Sequence, residues 1–312
     1  NAIRFAAHSD TGMRMKFSAL TKNDIVNAYE KMTELDYNNA IAGETRHILD
    51  WYWGINISRA LTQTARNVGL RKSLSIGRVQ GPSLDILVKR EKEIQNFISK
   101  PYWQLFAEYD KTQFVHEKEK FWDEKECDLA LKNSDKKGKV ESMEVREFSV
   151  APPVPFDLTS LQIEAYRVHK FSPKDVLALT QTLYESSMIS YPRTSSQQYP
   201  PSIDLKSIIE KLSHNHEYSK EANFLIKNNK YKPNNGKKED PAHPAIHPTG
   251  IQANVGEREK KLYDLIVRRF FACFGDPATK QSTKVILKLG NEKYVGKGII
   301  VLVPGWIDLY GK

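Results

Sequence analysis

Cysteine is nearly missing. Cys127 and Cys273, the two in this 312-residue chain, lie far apart in sequence, which excludes a disulfide framework and a four-cysteine zinc site and makes a reducing, intracellular setting the default. No apolar run approaches the ~18 residues a membrane-spanning helix needs, so no membrane partner is expected. No secretory signal is visible either, and the expected location is the cytoplasm. An initiating Met is absent too. Asn1 to Met15 show no clear period and read as the inside of a longer protein. His214 and His216 have no third ligand nearby and read as solvated, not metal-binding.

What is present argues for packed structure. Hydrophobic residues make up 40% of the chain, with five Trp and 13 Phe, and the length allows two or three domains. Lys plus Arg total 47 against 38 Asp plus Glu, a formal charge of +9 that favours a polyanionic partner.

The stretch richest in chemistry is Ile189-Ser190-Tyr191-Pro192-Arg193-Thr194-Ser195-Ser196. A phenol with an ordinary pKa of about 10 is a poor nucleophile at neutral pH unless a cation stabilises its phenolate. Arg193 is such a cation, and its planar fork matches phosphate oxygens. On an extended segment Tyr191 and Arg193 share one side, and Pro192 stiffens the backbone between them. The plain alternative is a Tyr-Pro-Arg turn without chemistry.

Other segments are organised around local signals. Thr21 with Asp24 starts a helix whose Ile25, Ala28, Tyr29 and Met32 share a face. A second helix runs from near Asp36 towards Trp53, with Gly54 marking its end. On it Arg46 and Asp50 are four apart, either an exposed ion pair or a cation held ready for a phosphate. Ser75 to Pro82 contains Gly77-Arg78-Val79-Gln80-Gly81 before the helical period of Leu84, Leu87, Val88 and Ile94. That is an ordinary helix entrance or a phosphate and base contact through Arg78 and Gln80.

After Pro101 the period changes to two: Trp103, Leu105, Ala107 and Tyr109 alternate, as do Val285, Leu287 and Leu289, with Gly290-Asn291 as a turn. One β domain assembled from residues near 98–152 and 276–308, with a helical domain inserted, is the most economical arrangement. Inside the insertion, Thr159 with Gln162 and Ser172 with Asp175 are capping-box pairs, the second followed by Val176, Leu179 and Leu183 and ending just before Tyr191. Residues from about 211 to 240 are rich in Lys and Asn and are expected to contain a mobile surface loop. Ala242-His243-Pro244-Ala245-Ile246-His247-Pro248-Thr249 holds an imidazole in a rigid stretch, either structural or placed to meet a phosphate or move a proton. Leu262, Leu265, Ile266 and Phe270 form the apolar face of a later helix, with Arg268 and Arg269 near its end.

Taken in order, these segments resemble a type IA DNA topoisomerase, the family that cuts one DNA strand through a tyrosine. The resemblance runs from about Phe17 to the end and rests on Ser75 to Pro82, Pro155-Phe156-Asp157-Leu158-Thr159 to Gln162, Ile189 to Ser196, and Ala242 to Thr249. It implies an α+β multidomain fold in which mainly helical base and catalytic-tyrosine domains are joined by a β-rich arch, part of a toroidal core. The implied division is a partial helical base domain at 1–97, arch segments at 98–152 and 276–312, and a tyrosine-bearing helical domain at 153–275. It implies Tyr191 as nucleophile, Arg193 stabilising the scissile phosphate and His243 assisting it. Arg46, Asp50, Arg78, Gln80 and Thr194 are implied as DNA contacts.

Two departures refine the resemblance. His247 stands where many bacterial members have arginine, and Pro192 follows the tyrosine; both forms are similar to archaeal members, including the topoisomerase half of reverse gyrase. The family's Toprim domain, whose glutamate and Asp-x-Asp cluster bind Mg2+, has no counterpart among these motifs. The chain is therefore expected to be a fragment that lacks Toprim and the end of the core. Its expected partners are single-stranded DNA and that Toprim domain, with Mg2+ needed only in the complete enzyme and cleavage by the fragment alone crippled. A non-catalytic single-strand-binding module remains the alternative; a tyrosine recombinase fits the motif order poorly.

Overall fold

Asp36 begins the longest helix by accepting a hydrogen bond from the Asn39 amide at 3.0 Å. The computed structural model describes residues 12–240 and 242–311, which fall into two compact units. The first comprises the described residues up to Arg14 together with Met32–Pro101; the second comprises Met15–Lys31 and Tyr102 onwards.

In the first unit, short strands β1 (Met13–Arg14) and β2 (Thr33–Glu34) pair antiparallel. Helix α2 spans Tyr37–Asn67 and passes straight through Gly54, so the expected stop there is wrong. A Cβ at Gly54 would lie 3.9 Å from the Ile76 carbonyl, an ordinary contact, so the glycine is tolerated inside the helix and packing does not demand it. Ser58 and Thr62, four and eight residues on, continue the same face. The Ser58 hydroxyl accepts from the Ile76 amide at 2.9 Å, and that of Thr62 accepts from the Leu74 amide at 3.0 Å. The real stop is Gly69, at φ +89°, where the Gly69 amide bonds to Arg66 O and the Leu70 amide to Ala65 O. The returning segment leads into helix α3, Gln80–Gln95, with Pro82 in its first turn.

In the second unit, Thr21 caps helix α1 (Lys22–Glu30) as expected, its hydroxyl accepting from the Asp24 amide at 3.1 Å. Of the four residues expected on its inner face, Ala28 is buried, whereas Ile25 and Tyr29 are exposed. Five antiparallel strands form one sheet: β3 (Phe106–Tyr109), β4 (Thr112–His116), β5 (Gly138–Val150), β6 (Ala278–Leu289) and β7 (Glu292–Val303), in the order β3-β4-β7-β6-β5. Gly290, at φ +62°, makes the tight turn between β6 and β7. At one end Leu105, Phe114, Phe121 and Tyr294 close over helix α4, Glu124–Lys132, to form a small core.

The larger core belongs to the helices between β5 and β6. These are α5 (Leu158–His169), α6 (Pro173–Glu185), α7 (Leu205–Ser213), α8 (Ser219–Lys227) and α9 (Glu257–Ala272), with short α10 (Trp306–Tyr310) added after β7. Leu262, Leu265, Ile266 and Phe270 of α9 are all buried, as their spacing predicts, and each contributes roughly 1.5–3 kcal/mol. Residues 211–240, expected to contain a mobile surface loop, also hold a helix and anchored backbone. Helix α8 buries Ala222 and Leu225, and the stretch after it is tied to the fold by the Gly236 amide to Gln197 O and the Gln197 amide to Lys238 O. Asparagine and lysine there supply surface and turn contacts, while Tyr218, Ala222 and Leu225 keep a helical spacing towards the core.

Candidate active site

Three separated stretches meet here. Phe156 and Ile246 form an antiparallel bridge, as do Ile189 and Pro248. The Ser190 amide donates to His247 O at 2.9 Å, its hydroxyl accepts from the His247 amide at 3.0 Å, and the Leu158 amide donates to Thr194 O at 3.0 Å. A buried backbone must find such partners, and here each stretch supplies them to the next. Beneath them Phe156, Ile189 and Ile246 are at most 1% exposed.

Asp157 caps α5, accepting from the Ser160 amide; it also accepts from Gln197 Nε2 at 3.1 Å and Lys238 Nζ at 3.2 Å. The expected Thr159–Gln162 capping box is therefore displaced by an Asp157–Ser160 box, because the aspartate two residues earlier reaches the free amides first. Gln162 instead donates to Pro173 O at 3.2 Å. The Ser172–Asp175 box forms as expected.

Tyr191 emerges from this platform half-buried, its amide donating to Ser18 O at 2.7 Å. The Ser187 hydroxyl donates to Leu20 O at 2.7 Å, so the Met15–Lys31 segment lies against the tyrosine stretch instead of with the rest of the expected 1–97 division. The Tyr191 ring lies 4.5 Å from that of His243, centroid to centroid, and 5.4 Å edge-on from Tyr184. Beyond Tyr191 the backbone is not extended as expected. The Thr194 amide bonds to Pro192 O at 3.0 Å, closing a three-residue turn around Arg193. Arg193 is exposed and makes no hydrogen bond or ion pair among the described residues. Thr194 is buried, and its hydroxyl donates to His243 O at 3.2 Å and accepts from the Ser196 amide at 3.0 Å.

His243 is held from its own side by Asp240. One carboxylate oxygen accepts from the Ala242 and His243 amides at 2.8 and 3.2 Å, while the other accepts from the Ser195 amide and hydroxyl. The His243 Nδ1 atom is buried without a hydrogen-bond partner among the described residues. Burial pushes its pKa down, Asp240 opposes that, and Lys16 reinforces it. His247 is fully buried, with Nδ1 donating to Pro248 O at 3.0 Å, and burial pushes it down too. Neutral imidazoles at pH 7 follow for both.

A stability consequence follows from the sign. Because folding favours the neutral rings, the unfolded chain takes up protons first as pH falls below the ordinary histidine value of about 6.5. Stability is thus full above that value and is lost as pH falls through the depressed native values. Each tenfold preference is worth about 1.4 kcal/mol. The urea midpoint is expected to drop between about pH 7 and pH 5, and His247→Asn to flatten that fall; a midpoint unchanged over this window would contradict it. Asp157 and Asp240, both held below the usual carboxylate range, respond only at lower pH.

The remaining sequence-predicted residues lie in the first unit. Arg78 meets Asp50 through Nε and Nη2, the latter at 3.3 Å, and Arg46 Nε approaches Asp50 at 3.8 Å. Gln80 is the first residue of α3 and is exposed. The sequence reading missed Asp157, Asp240 and Lys238 at the site. Asp240 carried a usable signal, since Asp before Pro241 favours a turn through its own side chain.

The sequence model of a family described as DNA topoisomerase matches residues 34–312. DNA topoisomerase 1 of Pyrococcus horikoshii is 44% identical over 323 residues, covering 100% of this chain and 47% of that protein. The Methanocaldococcus jannaschii DNA topoisomerase 1 is 44% identical over 315 residues, covering 99% and 41%. The solved structure of full-length topoisomerase I from Thermotoga maritima aligns with a TM-score of 0.73 at 26% identity, covering 96% of this chain and 50% of that one. This chain belongs to the DNA topoisomerase family. Within it the chain is a type IA member of archaeal type, with the α+β fold of that class. It spans about half the length of the curated relatives it matches.

Proposed function

We propose that this chain is the DNA-gate portion of a type IA topoisomerase, with Tyr191 as nucleophile, Arg193 holding the scissile phosphate and His243 assisting it. The observation that carries the reading is the half-buried Tyr191, its ring tilted against that of His243 at 4.5 Å between centroids and two residues from Arg193, which has no partner among the described residues. The Tyr191 oxygen attacks phosphorus, the P–O3′ bond breaks, and a 5′-phosphotyrosine and a 3′-hydroxyl result, with the tyrosine proton matched by one gained at the leaving oxygen. Phosphoryl transfer of this kind depends chiefly on positioning and charge stabilisation. Passage of a strand through the gap and reversal complete the cycle. The helical segment 153–275 acts as the tyrosine domain within the 98–152 and 276–312 arch.

Among the described residues no group of three or more His, Cys, Asp or Glu side chains is arranged to hold a metal ion. Mg2+ therefore does not fit this part of the chain, and the proposal assigns it to a Toprim domain acting as partner in the complete, DNA-associated cytoplasmic enzyme. Labelled single-stranded oligonucleotide resolved on a denaturing gel tests this. The chain alone is expected to cleave at least about 100-fold more slowly than the complete protein. Comparable rates would overturn the division of labour.

Substrate preference is a separate expectation. The chain binds single-stranded DNA better than duplex, with affinity falling as salt rises because its cations displace counterions. Arg78→Ala weakens this binding roughly tenfold on many sequences alike, measured by fluorescence anisotropy. Salt-independent binding, or a preference for blunt duplex, would contradict it.

A further inference from the structure

A cavity of about 570 Å³ opens beside the tyrosine site and is lined in part by Arg193, Thr194 and Ser195. Its walls include Leu158 and Leu177, Arg193 and Lys238, and the two carboxylates Asp157 and Asp240. Tyr191 and His243 are not part of the lining. Such a volume is within the range of ligand sites, and the cavity is an open cleft, not a closed one.

The charges on the wall are unequal in what they can still do. Asp157 accepts from Ser160, Gln197 and Lys238, and Asp240 from Ser195, Ala242 and His243, so both acids are engaged by the fold. Both are held ionised below the usual carboxylate range. Arg193 has no partner among the described residues, and the Lys238 side chain is 62% exposed beside the nearly buried Asp157. The Lys238 ammonium carries three donors and the one contact to Asp157 leaves others free. Leu158 and Leu177 add an apolar surface.

From this geometry we infer that the cavity seats one nucleotide of the single strand next to the scissile phosphate, with Lys238 binding its phosphate and Leu158 and Leu177 contacting its base. Asp157 is the positioning residue: it anchors Lys238 from below without cancelling its reach. The inference rests on single-stranded DNA as substrate, as proposed above. Because any base presents an apolar face, recognition here is tolerant of sequence.

The test is anisotropy of a fluorescein-labelled single strand of about 15 nucleotides across a salt series, with the whole chain. Lys238→Ala is expected to weaken binding about tenfold and to reduce the slope of log K against log salt by roughly 0.7, one phosphate contact. Lys238→Arg restores both. Lys237→Ala, one residue away and exposed, changes neither by a comparable amount. Leu177→Ala, which removes an apolar contact to the base, weakens binding while leaving the salt slope unchanged. Equal losses from Lys237→Ala and Lys238→Ala would reduce the effect to diffuse charge and overturn the inference, as would unchanged binding in Lys238→Ala. Covalent attachment through Tyr191, scored separately in the complete protein, survives those outcomes; its loss with the Lys238 effects intact would overturn the cleavage reading and leave the subsite standing.

Discussion

Tyr191→Phe in the complete protein is expected to lower covalent attachment to a single-stranded oligonucleotide by at least about 10⁴-fold, because it removes the atom that becomes bonded to phosphorus. It deletes one oxygen and leaves the ring. The contacts of that ring with His243 at 4.5 Å and Tyr184 at 5.4 Å are made by carbon atoms that phenylalanine retains, and the amide still reaches Ser18. Binding of the strand should therefore stay within about twofold, and stability should hardly change. The two readouts together separate an enzyme from a binding module. A variant that still forms adduct at an appreciable rate would show that another residue performs the attack, whereas parallel loss of binding and adduct would show that the tyrosine serves strand affinity.

The largest stability effect is expected one layer down, at Phe156→Ala. Phe156 is 1% exposed, bridges Ile246 through the backbone, and lies 4.4 Å beneath the Arg269 guanidinium, which itself donates to Val154 O at 2.9 Å. Removing the ring opens a cavity where three site-forming stretches meet, at a cost of about 3–5 kcal/mol. Loss of the cation's partner face adds to this. Phe156→Leu fills most of the space and should cost appreciably less. Urea denaturation reads both. If alanine costs under about 1 kcal/mol, the junction is not the packed platform described here.

Much of this arrangement is legible in the sequence because the signals are local. The Ser172–Asp175 cap, the Leu262 to Phe270 face and the Gly290 turn each depend on residues within one or two turns, and all three form. Gly54 misleads for a physical reason. A glycine ends a helix when the chain needs a positive φ, as at Gly69; Gly54 keeps helical backbone, and a glycine inside a helix costs only about 1 kcal/mol, which the residues on either side outweigh. The surface segment after α8 misleads in the opposite sense, since its polar composition conceals hydrogen bonds to Gln197 and Tyr199.

Site residues follow the same division. Tyr191, Arg193 and His243 stand out by residue type and by the motifs around them, and the fold brings the tyrosine ring onto the histidine. Arg193 turns instead towards the cavity walled by Asp157 and Lys238, a relation set by the bend at Pro192 that an extended reading misses. Arg46, Asp50 and Arg78 are brought together as a network by the return of the chain along α2, where spacing alone joined only the first two. Asp240 is visible only in part, through the local turn it makes with Ala242 and His243. Its role is to fix the backbone of both Ser195 and His243, and such a role depends on contacts between distant parts of the chain.

The most direct measurement is the position of the covalent bond. The complete protein is incubated with a labelled single-stranded oligonucleotide, denatured and digested, and the labelled peptide is sequenced by mass spectrometry. The account predicts a single phosphotyrosine at Tyr191, joined to the 5′ phosphate of the downstream fragment, with a free 3′-hydroxyl on the other. An adduct on any other tyrosine, or a bond to the 3′ phosphate, would contradict it.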